Sequence, residues 1–474
     1  MVGRQDDNGH KGPGGIVFLV RHAMINFIRN VRARLGPLWW YSILISASAR
    51  FNELLNLYVG FFYLPKALSA NELGSVEPIT RLASLGGIPL AIASIVAAKY
   101  LSVYHARGEK GKIKRLMRDM SLIAMVSSVI AVATLIVGFE AIRTRLHLQT
   151  PYLLLTMGSL ALLACWQPLV RVVLQGTQRF YAGIAMGTAD SVLRLSMALL
   201  LIPLLHLSGY LLTLLICGIA AIAIGIWSIR EFWSSGVKST PYYSDWQGIL
   251  SFAWPAAVLI IFGGASGTIE PFVIKHFLSI EDAAGYYMVC RLGYIPSYIV
   301  GSIGFVLFPI LSHRHERGED TGGYLRQSLL VTIIGGTAAC ILVGSCSSWL
   351  MGLLPQWRPY QPYAPQVWFI GAMVVLDLTN SIYFTREMAC RRFSFLWISI
   401  PIVLAECTFL YCSFGWSALQ DYLPQDFWKW ADSVMPHTLT FALTVMVAAR
   451  AAVTIGLALH WHFTGTIRPK EIKT

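Results

Sequence analysis

Arg50, Arg81, Arg171, Arg194, Arg291 and Arg450 stand inside otherwise apolar stretches of the chain, as do Glu53, Asp190, Glu270 and Asp377. An ionisable group in such a stretch is costly and faces a cavity or a partner. A guanidinium can grip a phosphate or a carboxylate through two parallel hydrogen bonds. A carboxylate can hold a cation or a proton. The spacing already pairs some of them. Asp190 and Arg194 are four residues apart, on one helix face, and form a structural ion pair. Arg50 and Glu53, three apart, allow the same pairing. Gln167, Arg171 and Gln175 recur every fourth residue as one polar stripe. Glu270 and Asp377 have no cation near them in sequence, so each is open to a coupling ion or to an arginine from another helix.

The elements that carry these residues are membrane spans. Of the 474 residues 55% are hydrophobic and 13% charged, with a mean hydropathy of +0.59, whereas soluble domains carry about 25% charged residues. Apolar runs long enough to cross a core of roughly 30 Å recur throughout. They predict an all-α polytopic protein of twelve spans, near 40–64, 76–103, 119–138, 150–174, 182–203, 208–229, 249–277, 283–311, 327–354, 366–388, 394–416 and 437–462.

The stretch Leu68–Glu109 repeats at Leu278–Glu319, 210 positions on, with 11 of 42 positions identical. The identities include Ser69/Ser279, Arg81/Arg291 and the closing HARGE/HERGE turns. Six spans separate the copies, so they point the same way and predict two halves related by an axis along the membrane normal. The expected organisation is a basic amphipathic segment (1–36), a six-helix bundle (37–230), a linker (231–246), a second six-helix bundle (247–463) and a tail (464–474). Gly86, Gly87 and Pro89 in span 2, and Gly293, Pro296, Gly301, Gly304 and Pro309 in span 8, predict bent helices.

With the N-terminus placed inside, 25 of the 37 Lys and Arg fall on the cytoplasmic side, 6 outside and 6 within spans. That bias predicts cytoplasmic termini. It reads the net charge of +13 as a topology label and excludes nucleic acid as a partner. The eight cysteines form no CxxC pair and read as small packing residues, with no metal site. No GxSxG, HExxH or Walker loop is present, and the adjacent acids Glu281–Asp282 and Glu319–Asp320 sit in turns. The expectation is therefore no enzyme, no catalytic residue and no cofactor, with a proton or sodium ion as the coupling ion.

The runs Leu68–Gly74, Leu174–Phe180, Leu278–Tyr287 and Leu307–Ser312, with the turn before Gly108, resemble the polysaccharide flippases of the MOP superfamily, the Wzx-type exporters of lipid-linked oligosaccharide, over roughly residues 40–416. The resemblance implies a V-shaped, MATE-like alternating-access transporter of the cell inner membrane with a cationic cavity between its halves. The load it implies is a polyprenyl-diphosphate-linked sugar, flipped to the outer leaflet for polysaccharide biosynthesis. Membrane lipids, glycosyltransferases and a polysaccharide polymerase are the partners it implies. On that reading Arg50, Arg171 and Arg194 are the expected head-group contacts, with Arg81 and Arg291 as further substrate-binding residues. Glu53, Glu270 and Asp377 are the ion-coupling candidates. The chain departs from the family in carrying Glu270 where many relatives carry Asp, and in its long 417–436 connection. A lipid II flippase, which usually has two more spans, stays open as an alternative. So do a MATE-type cation or drug antiporter, with an acidic cavity, and a membrane glycosyl polymerase or ligase, which the short loops disfavour.

Overall fold

A computed structural model describes residues 44–147 (except 46), 152–234, 246–301, 321–390, 392–415 and 438–465, together with a few positions at 303–314 and Pro436. The basic segment 1–36, the linker core 235–245, the HERGE turn, the 417–435 connection and most of the tail lie outside the described residues. The described chain is helical, and its elements follow the expected spans in order.

Helix α1 covers 47–67 and contains a π-helical turn, Tyr58–Tyr63. Then come α2 (Ala70–Leu85), α3 (Ile88–Ala106), α4 (Lys110–Arg145) and α5 (Leu153–Gly176). The run Phe180–Ser234 is broken at His206, where φ is 51°. A Cβ on Gly209 would sit 2.3 Å from the Leu201 carbonyl oxygen. Eight residues of straight helix span about 12 Å, so the chain reverses here, and the two arms are α6 (180–205) and α7 (207–234). The second half runs through α8 (Trp246–Phe277), α9 (Ile280–Gly293), α10 (Ile295–Val300), α11 (Gly322–Leu353), a 3-10 turn (Arg358–Gln366), α12 (Val367–Ala389), α13 (Leu396–Gly415) and α14 (Leu439–Gly465).

Among the described residues eight helices are long and apolar enough to cross a membrane, or nine if the bent pair α2–α3 forms one span. One of the eight is the hairpin of α6 and α7. Their outer faces are apolar and open, as at Val137 (88% exposed) and Trp397 (84%), which suits lipid rather than water. α4 has 36 residues and is about 54 Å long, so its basic start from Lys110 to Arg118 projects beyond a core of roughly 30 Å.

The repeat is built the same way twice. Ser69 caps α2, accepting from the Glu72 amide while Glu72 accepts from the Ser69 amide at 3.0 Å. Ser279 caps α9, accepting from the Asp282 amide at 3.0 Å. Such caps satisfy amides that the helix leaves orphaned. Each capped helix then breaks before a proline-started helix: α2 meets α3 at 59° across Gly86–Gly87, and α9 gives way to α10 at Tyr294.

Packing determines the shape. One core joins the halves, with Leu73, Val76 and Ile79 of α2 in the same cluster as Ala283, Tyr287 and Val289 of α9. Gly74 permits that approach, since a Cβ there would stand 2.8 Å from the Ala283 Cβ. Two further cores are each confined to one half. Leu101, Met117, Val173 and Ile229 belong to the first, and Leu311, Leu325, Phe395 and Leu457 to the second. The shared core lies at the Ser69/Ser279 end, and the separate cores lie towards the basic-turn end. The halves therefore share one core at the first end and keep private cores at the second, where α3 of the first half still packs along α8 of the second.

Candidate functional site

Three polar constellations lie within this frame. The first is where the halves meet. Arg291 of α9 pairs with Glu77 of α2, and Arg81, one turn further along α2, approaches the same carboxylate at 3.5 Å. The two arginines that the repeat duplicates thus converge on one acid. The repeat counterpart of Glu77 is Tyr287, which lies under the Arg291 guanidinium at 4.7 Å and donates to the Gly60 carbonyl in the π-helical turn at 3.0 Å. At the same closed end Lys275, 2% exposed, donates to both the carbonyl and the side-chain oxygen of Asn71, at 3.1 and 2.6 Å.

The second constellation fills the second half. Arg450 of α14 pairs with Glu270 of α8 and Glu406 of α13, and its Nε lies 3.5 Å from Asp377 of α12. Asn380, a turn beyond Asp377, approaches the Arg450 carbonyl at 3.4 Å and accepts from Thr454 at 2.9 Å. Glu270 and Asp377, isolated in sequence, therefore share a cation from the last helix. These residues line a cavity of about 390 Å³ that reaches Glu77 and Arg81 in the first half. Four carboxylates (Glu77, Glu270, Asp377, Glu406) line it against two guanidiniums (Arg81, Arg450), and Glu77 is further paired by Arg291, so the acid surplus is that of Glu270, Asp377 and Glu406 around Arg450.

The third lies in the first half, in a cavity of about 360 Å³ lined by Ser48, Asn52, Gln167, Arg171, Gln175, Arg179 and Asp190 among others. Arg171 is exposed into it and has no ion-pair partner among the described residues. The stripe Gln167–Arg171–Gln175 faces this cavity as one surface. The Asn52 side-chain oxygen is buried without a hydrogen-bond partner. Asp190 bonds Arg194 at 2.6 Å, and Ser48 bonds Thr188 at 3.0 Å, tying α1 to α6. Arg50 pairs with Glu53 along α1. Arg179 pairs with Glu231 at the basic end, so Arg171 and Arg179 against Asp190 leave this cavity a formal +1. Tyr210 of α7 lies close both to the Asp190–Arg194 pair and to Glu77–Arg291.

The charge is therefore segregated. A cationic cavity between the halves is what the family resemblance implies. Among the described residues the acid-rich cavity lies mainly in the second half and only reaches the interface at Glu77 and Arg81, and the basic surplus lies inside the first half. Sequence reasoning missed Glu77 and Glu406. Both carried a usable signal, since each interrupts an apolar run and such an acid needs a partner.

Two bundles of membrane helices that share a core at one end, each with a polar cavity of its own, give the chain the form of a multi-pass transporter. Solved structures bear this out at the level of fold. One is an inward-facing multidrug resistance MATE family transporter of the MOP superfamily, 9% identical, with a TM-score of 0.64 over 89% of this chain and 97% of that one. An outward-facing MATE structure is 11% identical, with a TM-score of 0.61 over 93% and 99%. A MOP superfamily transporter from Pyrococcus furiosus, whose binding pocket is described as of reverse polarity, is 10% identical, with a TM-score of 0.55 over 93% and 99%. No curated protein sequence matches the chain. The family model described as "Polysaccharide biosynthesis protein" matches residues 57–315, more than half of the length. The chain belongs to that family, with the fold of the MOP superfamily.

Proposed function

We propose that this transporter carries a polyprenyl-diphosphate-linked oligosaccharide from the cytoplasmic to the outer leaflet of the inner membrane, with both termini cytoplasmic and the end with separate cores facing the cytoplasm. The observation that carries the reading is the first-half cavity. It offers a guanidinium, Arg171, with no ion-pair partner among the described residues, flanked by amides and a hydroxyl (Gln167, Gln175, Asn52, Ser48). A diphosphate carries at least two negative charges and cannot cross hydrocarbon bare. A guanidinium in a low-dielectric cavity receives a phosphate in fixed geometry, and the amides suit sugar hydroxyls. The lipid tail stays in the bilayer while the head group crosses between the halves. The load is bound and released by a change of state, so no covalent step is required.

The second-half cluster suits ion coupling. One guanidinium against Glu270, Asp377 and Glu406 leaves a carboxylate surplus that a proton or sodium ion would balance. Glycosyltransferases would supply the load, and a polysaccharide polymerase would consume it on the far side.

The acid-rich second-half cavity favours a second reading, antiport of an organic cation. Proteoliposomes separate the two. The first reading predicts transfer of a fluorescent polyprenyl-diphosphate sugar to the far leaflet, lost on Arg171→Ala with the protein still inserted. Movement of ethidium down or against an ion gradient, with no transfer of the sugar lipid, would establish the second reading in its place.

A further inference from the structure

The repeat places an arginine at the same position in each half but an acid at only one of them, and the acid is where the halves close. Glu77 is 9% exposed, and its carboxylate takes Arg291 from the opposite half and Arg81 from its own helix. Two guanidiniums on one carboxylate leave a local +1. Among the described residues the Arg291 Nε is buried without a hydrogen-bond partner, so Glu77 does not fill its fork. In the second half Tyr287 stands in the acid's place, so Arg291 has no carboxylate of its own one turn back. If the halves part at this end, Arg81 keeps Glu77 through the i, i+4 geometry of α2, whereas Arg291 loses its partner.

From this asymmetry we propose that Glu77 is a positioning residue that acts as an internal competitor of the load. It occupies Arg291 in the closed state and is displaced when an anionic diphosphate head group takes that guanidinium. The inference rests on the head-group reading above. Its consequence is that arrival of the load loosens the closed end, because the bond that holds α2 to α9 is exchanged for one to the load. An empty carrier keeps Glu77 on Arg291 and stays closed on that side, which prevents an open pore. The neighbouring cross-half contacts of Lys275 with Asn71 and of Arg145 with Tyr411 involve no carboxylate that an arriving anion could replace, so the exchange is assigned to Glu77.

The test uses the full chain in nanodiscs, with fluorophores on bio-orthogonal amino acids at Glu140 and Arg358, both exposed near the closed end in opposite halves. Farnesyl diphosphate is the probe and farnesol the phosphate-free control. Glu77→Gln keeps size and removes charge. It is expected to lengthen the separation of the labels without ligand and to tighten farnesyl diphosphate binding at least five-fold, with farnesol unchanged. A merely structural Glu77 would not produce a gain in affinity. Glu77→Asp, which retracts the carboxylate, is expected to move both readouts in the same direction by less, and it serves if Glu77→Gln does not insert. Arg291→Gln is expected to open the end and to weaken the probe. Equal binding of the probe by wild type and both Glu77 variants would overturn the competition while leaving the head-group reading intact. Binding by none of them would remove the head-group reading, and the competition with it.

Discussion

At the residue scale, magnitudes decide which arginines can exchange partners. The Arg50–Glu53 side chains are about a third exposed, at 33% and 32%. Pairs as wet as this contribute about 0–1 kcal/mol, so a phosphate can displace the acid at little cost. Arg194 (25%) and Asp190 (17%) are drier but still accessible. Arg171 has no acid to exchange among the described residues. Arg171→Ala should therefore cut transport of a diphosphate-linked sugar at least tenfold, and Arg171→Lys should restore only part of it, because a lysine lacks the planar fork. Transport counts per inserted protein would check both. Arg450 behaves differently. Glu406 and Glu270 are each 4% exposed around it, and stripping the cation from such a site costs about 3–5 kcal/mol. Arg450→Ala should lower the thermal midpoint in detergent sharply, and the further change Glu406→Gln should recover part of the loss. A double variant no more stable than Arg450→Ala alone would contradict the cluster as drawn.

At the element scale, the closed end depends on α2 lying against α9. The contact works because small residues face each other: a Cβ on Gly74 already meets Ala283, so a branched side chain has no room. Gly74→Val should therefore favour the state open at the Ser69/Ser279 end, seen as a longer separation between labels at Glu140 and Arg358, while insertion is unaffected. The same elements show what the sequence could and could not convey. Caps, breaks and spans are local properties. Ser69 and Ser279 start helices, Gly86–Gly87 and Gly293 bend them, and the turn at His206 falls between spans 5 and 6 as expected. The Asp190–Arg194 pair is local too, and it forms. Arg450, by contrast, lies 44 residues from Glu406, 73 from Asp377 and 180 from Glu270. Nothing in helical periodicity relates such positions, so that cluster needed the fold. Glu77 presents a subtler case: the repeat drew attention to what the halves share, and the function assigned to Glu77 lies in where they differ.

For the whole molecule, the distribution of cores and charges makes one machine. A shared core at one end and two private cores at the other let each half keep its own packing if the contact between them shifts. The basic cavity lies in the first half and the acid-rich one mainly in the second, so the load's first contacts and the coupling ion would occupy different halves and interact through the interface, where Arg291 stands. Cargo in one half and ion in the other is a geometry in which neutralising the acid cluster shifts the state without removing the load's contacts. Glu270→Gln should accordingly abolish dependence of transport on the ion gradient while leaving binding of farnesyl diphosphate within about twofold of wild type.

The central claim, that the anionic head group of a sugar lipid is held in the first-half cavity, is tested most directly by a two-substrate assay in sealed proteoliposomes. Wild type and Arg171→Ala are loaded at equal density and followed for transfer of a fluorescent polyprenyl-diphosphate disaccharide to the far leaflet, with ethidium flux measured in parallel. Transfer of the sugar lipid by wild type, loss of at least nine-tenths of it in Arg171→Ala, and no ethidium flux in either is the result predicted. Unchanged sugar-lipid transfer in Arg171→Ala would contradict it.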